Sequence, residues 1–598
     1  MKRLLTPLFL FLFSLTFLSA HAQTTPSGNA DALTGFARAV DVADGSVFIG
    51  EPANAHQPGL VYIYQRSNTD WSQQTKLSAS DGEIGDGFGT ALDATGSHIV
   101  VGAPDKNKEQ GASYLFEKAS DGSWSQVAQL ALADTSESAF GASVLFHNDH
   151  IFIGAPGEKD GLGAVYVYKK NQDGTWAQQA RLANPDTARG TSFGSALAAE
   201  GSKLLVGAPR ENGGAVYVFG KSNMDDWEKQ ATLVNGNVDE EARFGSTIAL
   251  KKDVALIGAP RQTGGSGAVF VFQNNDGWKS TGQLVAYDNG PRYGFGASIA
   301  FVGNNAWIGA PGADSRMGAI YEFTWDADRK SWGGVAKLDG PERKQGDRFA
   351  GTIAVGENVA VSGLVGADYG AGTAAIMERD ADTGWSVMTT VLSKSSVLEP
   401  ITDEVDCENG KADRFGCSNV NLLSFLPNDA IGADRGVRLN DIWGWTDPKT
   451  GKEYALVGRM DGTSFVDVSN PSNPVYVGTL PKPDSSNASV WRDIKVYKNH
   501  AYVVADNAGT HGMQVLDLTE LRNYEGTPIT FEQTAHYDEV HSVHNVVINT
   551  DTGFAYAVGS SGGGNTCGGG LHMINIQDPT NPTFAGCFSD PSTGRSGT

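Results

Sequence analysis

The chain has 598 residues, of which 75 are glycine and 40% are hydrophobic, and its formal net charge at pH 7 is −23. That length and apolar content predict several domains with filled cores. The excess of acidic residues leaves no basic surface to meet phosphates, which argues against a nucleic-acid partner.

The N-terminus has the pattern of a secretory signal peptide. Lys2 and Arg3 are basic, residues 4–18 are mostly apolar, and Ala20-His21-Ala22 fits the small-residue cleavage pattern. The alternative is a membrane anchor, but the apolar stretch is short for a span. No later segment is long and apolar enough to cross a bilayer. We therefore predict a signal peptide at residues 1–22 and an exported chain, extracellular or at the cell surface.

A tandem repeat with a period of about fifty residues dominates the chain as far as Trp385. Each copy opens with Phe-Gly or a close variant, and a second glycine follows fourteen residues later in all seven copies. The openings are Phe36, Phe88, Phe140, Phe193, Phe244, Phe295 and Phe349. The second glycines, which usually begin Gly-Ala-Pro, are Gly50, Gly102, Gly154, Gly207, Gly258, Gly309 and Gly363. Such a period indicates a repeat architecture rather than one catalytic constellation.

Each copy has the pattern of four short strands joined by turns. In the third copy, alternation and β-branched or aromatic residues predict strands at 140–146, 151–156, 164–169 and 176–182. Proline ends the second strand because it cannot donate to a ladder, and the glycines permit close backbone approach near a crowded centre. Four strands per copy, seven times over, predict an all-β fold with a seven-bladed β-propeller.

These Phe-Gly and Gly-Ala-Pro motifs resemble FG-GAP repeats, which occur in the head of integrin α chains and in many bacterial surface proteins. The resemblance covers residues 30–395. The first and last copies depart from it, with Phe36-Ala37 and Phe349-Ala350 in place of Phe-Gly. The resemblance implies an integrin-like propeller.

Calcium is not carried over from that resemblance. Integrin-like blades often hold calcium in an Asp-rich loop between their first two strands, where a cation needs several oxygen ligands. The constant fourteen-residue offset leaves room only for a tight turn at this place. We therefore expect no calcium in these blades.

The loops that follow Gly-Ala-Pro vary in sequence and should gather on one face of a propeller. Loops on a rigid scaffold commonly carry binding groups. Arg210, Arg261 and Arg316 lie in three of these loops and together could contact an acidic or sugar-acid ligand. The alternative is that they are solvated charges on unrelated blades.

The pattern changes after Trp385. Residues 396–438 are predicted to be a linker with a small disulfide loop, and a second repeat with unit starts at Asp441, Asp493 and His544 fills residues 439–598. Its stretches, such as Asp467-Val-Ser-Asn-Pro, resemble the LVIVD repeats of the choice-of-anchor B family, secreted bacterial surface proteins with differing C-terminal anchors. This predicts three blades of a second propeller.

Three blades are fewer than the four to eight that usually close a propeller. We expect either that further blades and a surface anchor lie beyond residue 598, or that these blades pair with another chain. The first is favoured, because an open sheet edge is an aggregation liability.

Four cysteines lie in the second half: Cys407, Cys417, Cys567 and Cys587. In an exported chain they favour disulfides. Pairing 407 with 417 and 567 with 587 is the simplest of the three connectivities.

One candidate metal site is present in the second repeat. Asp441, Asp493 and His544 occupy matching starts of predicted innermost strands, and carboxylate and imidazole are ordinary ligands of a divalent metal. The alternative is that they cap strand ends by hydrogen bonding to neighbouring blades.

Two functions follow. The first is a secreted or surface-anchored binding or adhesion scaffold that presents loop faces to an extracellular protein or glycan. The second is an extracellular metal-assisted hydrolase or lyase at the axis of the second propeller. The chain has no Walker loop or dinucleotide fingerprint.

Overall fold

Strands and tight turns account for nearly all of the regular structure. The computed structural model describes residues 35–588 apart from 54–57, 69, 134–135, 186–189, 223–225, 289, 381, 383, 394–397, 564–566 and 568–569. The predicted signal peptide, residues 1–22, lies outside the described residues. The chain divides into two compact units, Met1–Ser396 and Val397–Thr598.

The described part of the first unit forms seven four-stranded antiparallel sheets, each with its strands in chain order. The first strands are Ala39–Ala43 (β1), Ala91–Ala94 (β5), Ser143–His147 (β9), Ala196–Glu200 (β13), Thr247–Lys251 (β17), Ser298–Val302 (β21) and Thr352–Val355 (β25). The second strands are Ser46–Glu51 (β2), His98–Ala103 (β6), His150–Ala155 (β10), Lys203–Ala208 (β14), Val254–Ala259 (β18), Asn305–Ala310 (β22) and Val359–Leu364 (β26). The third strands are Leu60–Ser67 (β3), Ala112–Lys118 (β7), Ala164–Lys170 (β11), Ala215–Lys221 (β15), Ala268–Asn274 (β19), Ala319–Asp326 (β23) and Thr373–Asp380 (β27). The fourth strands are Asp70–Leu77 (β4), Trp124–Leu130 (β8), Trp176–Ala183 (β12), Trp227–Leu233 (β16), Trp278–Leu284 (β20), Ser331–Asp339 (β24) and Gly384–Val391 (β28).

The first strands lie side by side around a closed ring. Each contacts the first strand of the next sheet, and β25 of the seventh sheet contacts β1 of the first. The predicted β-propeller class is therefore confirmed. Because the strands within a sheet alternate in direction, the hairpins after the first strands lie at one end of the ring. The connectors after the second strands lie at the other end, which we call the loop face.

The repeated second glycine has a direct packing reason. A Cβ atom added at Gly102 would lie 1.9 Å from the carbonyl oxygen of Gly141 in the next sheet. At all seven positions the same oxygen of the next sheet would lie 1.9 to 2.6 Å from the added atom. The sheets therefore pack backbone to backbone at this level, and only glycine fits.

The opening phenylalanines fill the space between the sheets and the loop face. All seven are almost fully buried, and Phe88 packs edge-on against Tyr114 with ring centroids 5.6 Å apart. The prediction that the third copy's first strand begins at Phe140 is wrong, since that strand begins at Ser143. The cause is Gly141, whose φ of 96° is incompatible with a strand.

Side-chain hydroxyls join neighbouring sheets around the ring. The Oγ of Ser143 donates to the carbonyl oxygen of Gly194 at 2.7 Å, and three equivalent bonds link later sheets. The last of them, from Thr352 Oγ1 to the carbonyl oxygen of Ala37 at 2.9 Å, joins the seventh sheet to the first. The indole of Trp71 also donates to Glu378 across this closing interface, at 2.8 Å.

The described part of the second unit contains three sheets of four or five strands, besides a two-stranded hairpin. The eighth sheet comprises Leu439–Thr446 (β31), Glu453–Arg459 (β32), Gly462–Asp467 (β33), Val475–Pro481 (β34) and Ile529–Thr530 (β38). The ninth comprises Arg492–Tyr497 (β35), His500–Ala505 (β36), Met513–Asp517 (β37) and Ala535–Tyr537 (β39). The tenth comprises Asn545–Asn549 (β40), Phe554–Val558 (β41), Leu571–Asn575 (β42) and Thr583–Phe588 (β43).

One strand departs from the simple four-strand order. After β37 the chain forms a short helix, Leu518–Asn523, and then adds β38 in parallel to β34 of the preceding sheet. Phe531 fixes this excursion by packing edge-on against Phe465, with ring centroids 5.5 Å apart. The ninth sheet therefore receives its outer strand late, from β39.

The segment predicted to be a linker belongs to the second unit. Lys411–Ala412 (β29) and Phe415–Gly416 (β30) form a hairpin, and the Cys407–Cys417 disulfide closes it. A short helix, Asn428–Ile431, packs against β33 and β34. The second predicted disulfide, Cys567–Cys587, is also formed, so the simplest pairing of the cysteines is confirmed.

Candidate ligand-binding face

Four connectors on the loop face share one backbone shape. They are short helical turns that contain consecutive left-handed residues, and in each the first residue is buried. These turns are Lys106–Glu109, Glu158–Gly161, Gln262–Gly265 and Ala313–Arg316. Their sequences differ, so one backbone presents different side chains in different sheets.

Arg210 and Arg261 occupy equivalent positions in the fourth and fifth sheets. The amide of Arg210 donates to the carbonyl oxygen of Thr191 at 3.1 Å, and the amide of Arg261 donates in the same way to that of Ala242. Both side chains are exposed. The backbone therefore fixes the two arginines at the same height on neighbouring sheets.

A third arginine, Arg243, joins this pair and was not predicted. It lies on the link that enters the fifth sheet, and its neighbour Phe244 donates its amide to the carbonyl oxygen of Gly213, in the connector that begins with Arg210. Burial lowers the pKa of Arg243, and the charges of Arg261 and Arg210 lower it further. We call Arg210, Arg243 and Arg261 the arginine triad.

The predicted partner Arg316 belongs to a different place on the loop face. Its carbonyl oxygen accepts the amide of Arg348 at 3.0 Å. Burial lowers the pKa of Arg348, with the charge of Arg316 as a second cause. The structure thus brings together two of the three predicted arginines and pairs the third with Arg348. One sequence feature could have identified both unpredicted arginines. Arg243 and Arg348 directly precede an opening phenylalanine, where other copies have smaller residues.

The loop face is acidic at the second sheet. Asp105 holds the position that Arg210 and Arg261 hold in their sheets, and its amide donates to the carbonyl oxygen of Asp86 at 3.2 Å. Burial raises the pKa of Asp105, Glu109 raises it further and the charge of Arg38 opposes them. The charge of the loop face therefore differs from one sheet to the next.

The predicted metal ligands of the second unit have other partners. The Oδ2 of Asp441 accepts the amide of Ile494 at 2.8 Å, and the Oδ2 of Asp493 accepts the amide of Val546 at 2.7 Å. Each aspartate thus bonds to the first strand of the following sheet, which was the alternative interpretation. Within the described part of the chain, no group of three or more His, Cys, Asp or Glu residues is arranged to hold a metal ion.

His544 does not match the two aspartates in position. Since Ile494 follows Asp493 and Val546 follows Asn545, the equivalent residue in the tenth sheet is Asn545. The side chain of His544 is 60% exposed and its Nδ1 lies 2.9 Å from Asp506. A shift of one residue moves a side chain to the other face of a strand, so the predicted alignment of His544 with the aspartates is wrong.

We expect Asp493→Ala to destabilise the second unit by about 2 to 3 kcal/mol, because it leaves the buried amide of Val546 without its acceptor. His544→Ala should change stability little, since that side chain is largely exposed. Chemical denaturation of the full chain measures both. Equal losses in the two variants would contradict the structural role of Asp493.

Comparisons with known proteins match both halves. The FG-GAP repeat family matches residues 71–116, 176–219 and 227–272, and the LVIVD repeat family matches residues 452–480. Each FG-GAP match begins in the fourth strand of one sheet, at Trp71, Trp176 or Trp227, and ends in the third strand of the next. The matched repeats therefore lie out of phase with the sheets.

Similar curated proteins are integrin α chains. Integrin alpha-3 of Cricetulus griseus is 25% identical over 236 residues, which are 35% of this chain and 22% of the integrin. Integrin alpha-X of Homo sapiens is 29% identical over 219 residues, 32% of this chain and 18% of the integrin. The chain thus spans about a fifth of the length of the curated relatives that it matches. These matches show a β-propeller repeat protein with FG-GAP repeats of the integrin type.

Two solved structures are also similar. A protein from Lactobacillus plantarum has a TM-score of 0.41 at 12% identity, covering 58% of this chain and 96% of its own. The periplasmic gluconolactonase of Pseudomonas aeruginosa has a TM-score of 0.36 at 14% identity, covering 50% of this chain and 85% of its own.

Among the described residues, no helix has the length and apolar character that crossing a membrane requires.

Proposed function

We propose that this chain, which carries FG-GAP repeats of the integrin α type and an LVIVD repeat, is an exported binding protein. Its first propeller presents the loop face to an extracellular partner, in the manner of an adhesion scaffold. The observation that carries this proposal is the set of connectors with one backbone shape and different side chains. A rigid frame with variable loops is a common arrangement for binding.

Export is supported by two features. The N-terminal residues have the pattern of a signal peptide, and all four cysteines form disulfides, which persist in oxidising compartments. The resemblance to secreted bacterial surface proteins favours the cell surface. Among the described residues, no group of three or more His, Cys, Asp or Glu residues is arranged to hold the metal that the alternative function requires.

Binding of the fluorescently labelled full chain to a panel of immobilised extracellular proteins and glycans tests the proposal. A connector variant loses three exposed cations of the loop face: Lys108→Ser, Lys159→Ser and Arg316→Ser. A matched variant loses three exposed cations of the opposite face: Lys252→Ser, Arg329→Ser and Lys330→Ser.

We expect the connector variant to bind the captured ligand about tenfold more weakly and the matched variant to bind normally, because only the first removes contacts on the loop face. Equal losses in both variants, or no binding to any member of the panel, would refute the proposal.

A further inference from the structure

Within the part of the chain that the structure describes, the arginine triad is a cluster of like charges without an internal counterion. Among the described residues, none of the three guanidinium groups has a carboxylate within ion-pair distance. This contrasts with the composition of the chain, which has 68 acidic and 45 basic residues. Because acidic residues outnumber basic ones, three neighbouring arginines that lack a described carboxylate partner are unusual in this chain.

The acidic residues closest in sequence are used elsewhere. Glu211, next to Arg210, accepts the hydroxyl of Tyr217 at 2.7 Å. Asp239 accepts the amide of Thr263 at 2.6 Å. Glu240 and Glu241 are exposed, and neither is among the charges that act on Arg243.

Backbone bonds hold the triad together. Ala242 and Phe244, on either side of Arg243, bond to the connectors of the fifth and fourth sheets, respectively. Arg243 therefore lies between the connector that starts with Arg210 and the one that starts with Arg261. Like charges fixed this closely repel each other, and an anion bound between them would relieve that repulsion.

We propose that the arginine triad binds the carboxylates of an acidic peptide segment of the extracellular partner. Planar guanidinium groups donate paired hydrogen bonds to carboxylates, and arginines on neighbouring sheets can meet successive acidic side chains of one segment. This inference rests on the proposed function, because it names the chemistry by which the loop face takes its partner.

A peptide fits better than an acidic glycan. The faces of sugar rings commonly stack on exposed aromatic side chains. Neither connector of the triad, residues 210–214 and 261–265, carries an aromatic residue. The recognition available at the triad is therefore charge and hydrogen bonding.

The test measures binding of an oligoglutamate peptide to the full chain by fluorescence anisotropy, with oligoglutamine as the uncharged control. The triad variant is Arg210→Gln with Arg261→Gln. Both side chains are exposed, and thermal unfolding confirms that the variant folds. The matched variant, Arg329→Gln with Lys330→Gln, removes the same charge from the opposite face. Heparin and polygalacturonate serve as sulfated and carboxylated glycan probes.

We expect the triad variant to bind oligoglutamate at least about tenfold more weakly than the native chain, with the matched variant unchanged. Added salt should weaken binding by the native chain, because these charges are exposed. Equal peptide binding by all three proteins, no peptide binding, or triad-dependent binding of a glycan but not of the peptide would overturn the inference. If one of these results is obtained while the connector variant still binds the panel ligand more weakly than the native chain, the proposed function stands and only the role of the triad fails.

Discussion

Replacing Gly102 with alanine is expected to destabilise the first propeller by about 3 kcal/mol or more. The added Cβ would lie 1.9 Å from the carbonyl oxygen of Gly141, and no flexible side chain is present there to move aside. Relieving this steric clash requires the second and third sheets to separate, and the closed ring resists that separation on both sides. Thermal or denaturant unfolding of the full chain, followed by tryptophan fluorescence, measures the loss.

Gly282→Ala is the matched control. Gly282 also lies within a strand, β20, but an added Cβ would have no heavy atom within 4 Å. That variant should be neutral or slightly stabilising, because alanine loses less conformational entropy on folding. If Gly102→Ala unfolds at the same denaturant concentration as Gly282→Ala, the backbone contact between sheets does not restrict residue size.

The second unit should lose stability as the pH falls below neutrality, and His511 should account for much of the loss. The ring of His511 is fully buried, and its Nε2 lies 2.7 Å from the guanidinium of Arg492. Its Nδ1 faces the carbonyl oxygen of Gly512 at 3.0 Å, so the neutral ring donates from Nδ1 and accepts at Nε2. Burial, followed by the charge of Arg492, lowers the pKa of His511 to about 3.

The direction follows from proton binding. Below the unfolded pKa of about 6.5, the unfolded chain protonates His511 while the folded chain does not until about pH 3, so stability falls as pH falls through this window. Through His511, the free energy of unfolding of the second unit falls by about 3 kcal/mol between pH 7 and about pH 4.

The variant His511→Gln keeps an acceptor for Arg492 but cannot take up the proton. It should therefore flatten the pH dependence of unfolding of the second unit. His544→Gln, which changes an exposed histidine, serves as the control. Parallel pH profiles for His511→Gln and the native chain would contradict the assignment.

The first propeller was predictable because its signals are local and repeated. Gly102 and its counterparts recur at a fixed offset, and the four-strand pattern lies within each repeat. The structure supplies the reason, since each glycine meets the equivalent carbonyl oxygen of the next sheet. A constraint that recurs at every sheet leaves a visible period in the sequence.

The arginine triad was only partly predictable, because its members come together across two sheets. Arg210 and Arg261 share a motif position, whereas Arg243 lies on a different segment and is placed beside them by the bonds of Ala242 and Phe244. Nothing in the sequence around Arg243 reports those bonds. Its place before an opening phenylalanine was the available signal.

The second unit shows how a small error in register changes a predicted site. Asp441 and Asp493 were correctly matched to each other, but the counterpart in the tenth sheet is Asn545, one residue after His544. The same arrangement occurs in the first unit, where the buried Asp93 accepts the amide of Phe146 at 2.7 Å. An aspartate in a first strand thus repeatedly forms a hydrogen bond to the backbone of the next sheet in this chain.

Every sheet of the first propeller is built from one uninterrupted stretch of chain, and the seventh sheet meets the first through contacts such as the bond from Thr352 to Ala37. Among the described residues, no strand is exchanged to complete the ring. The sheets follow one another around the ring in chain order, and closure of the ring does not require any particular sheet to come first. A circular permutant that starts at any other link between sheets should close the same ring, and tandem duplication of single sheets is a simple route by which such a ring could have evolved.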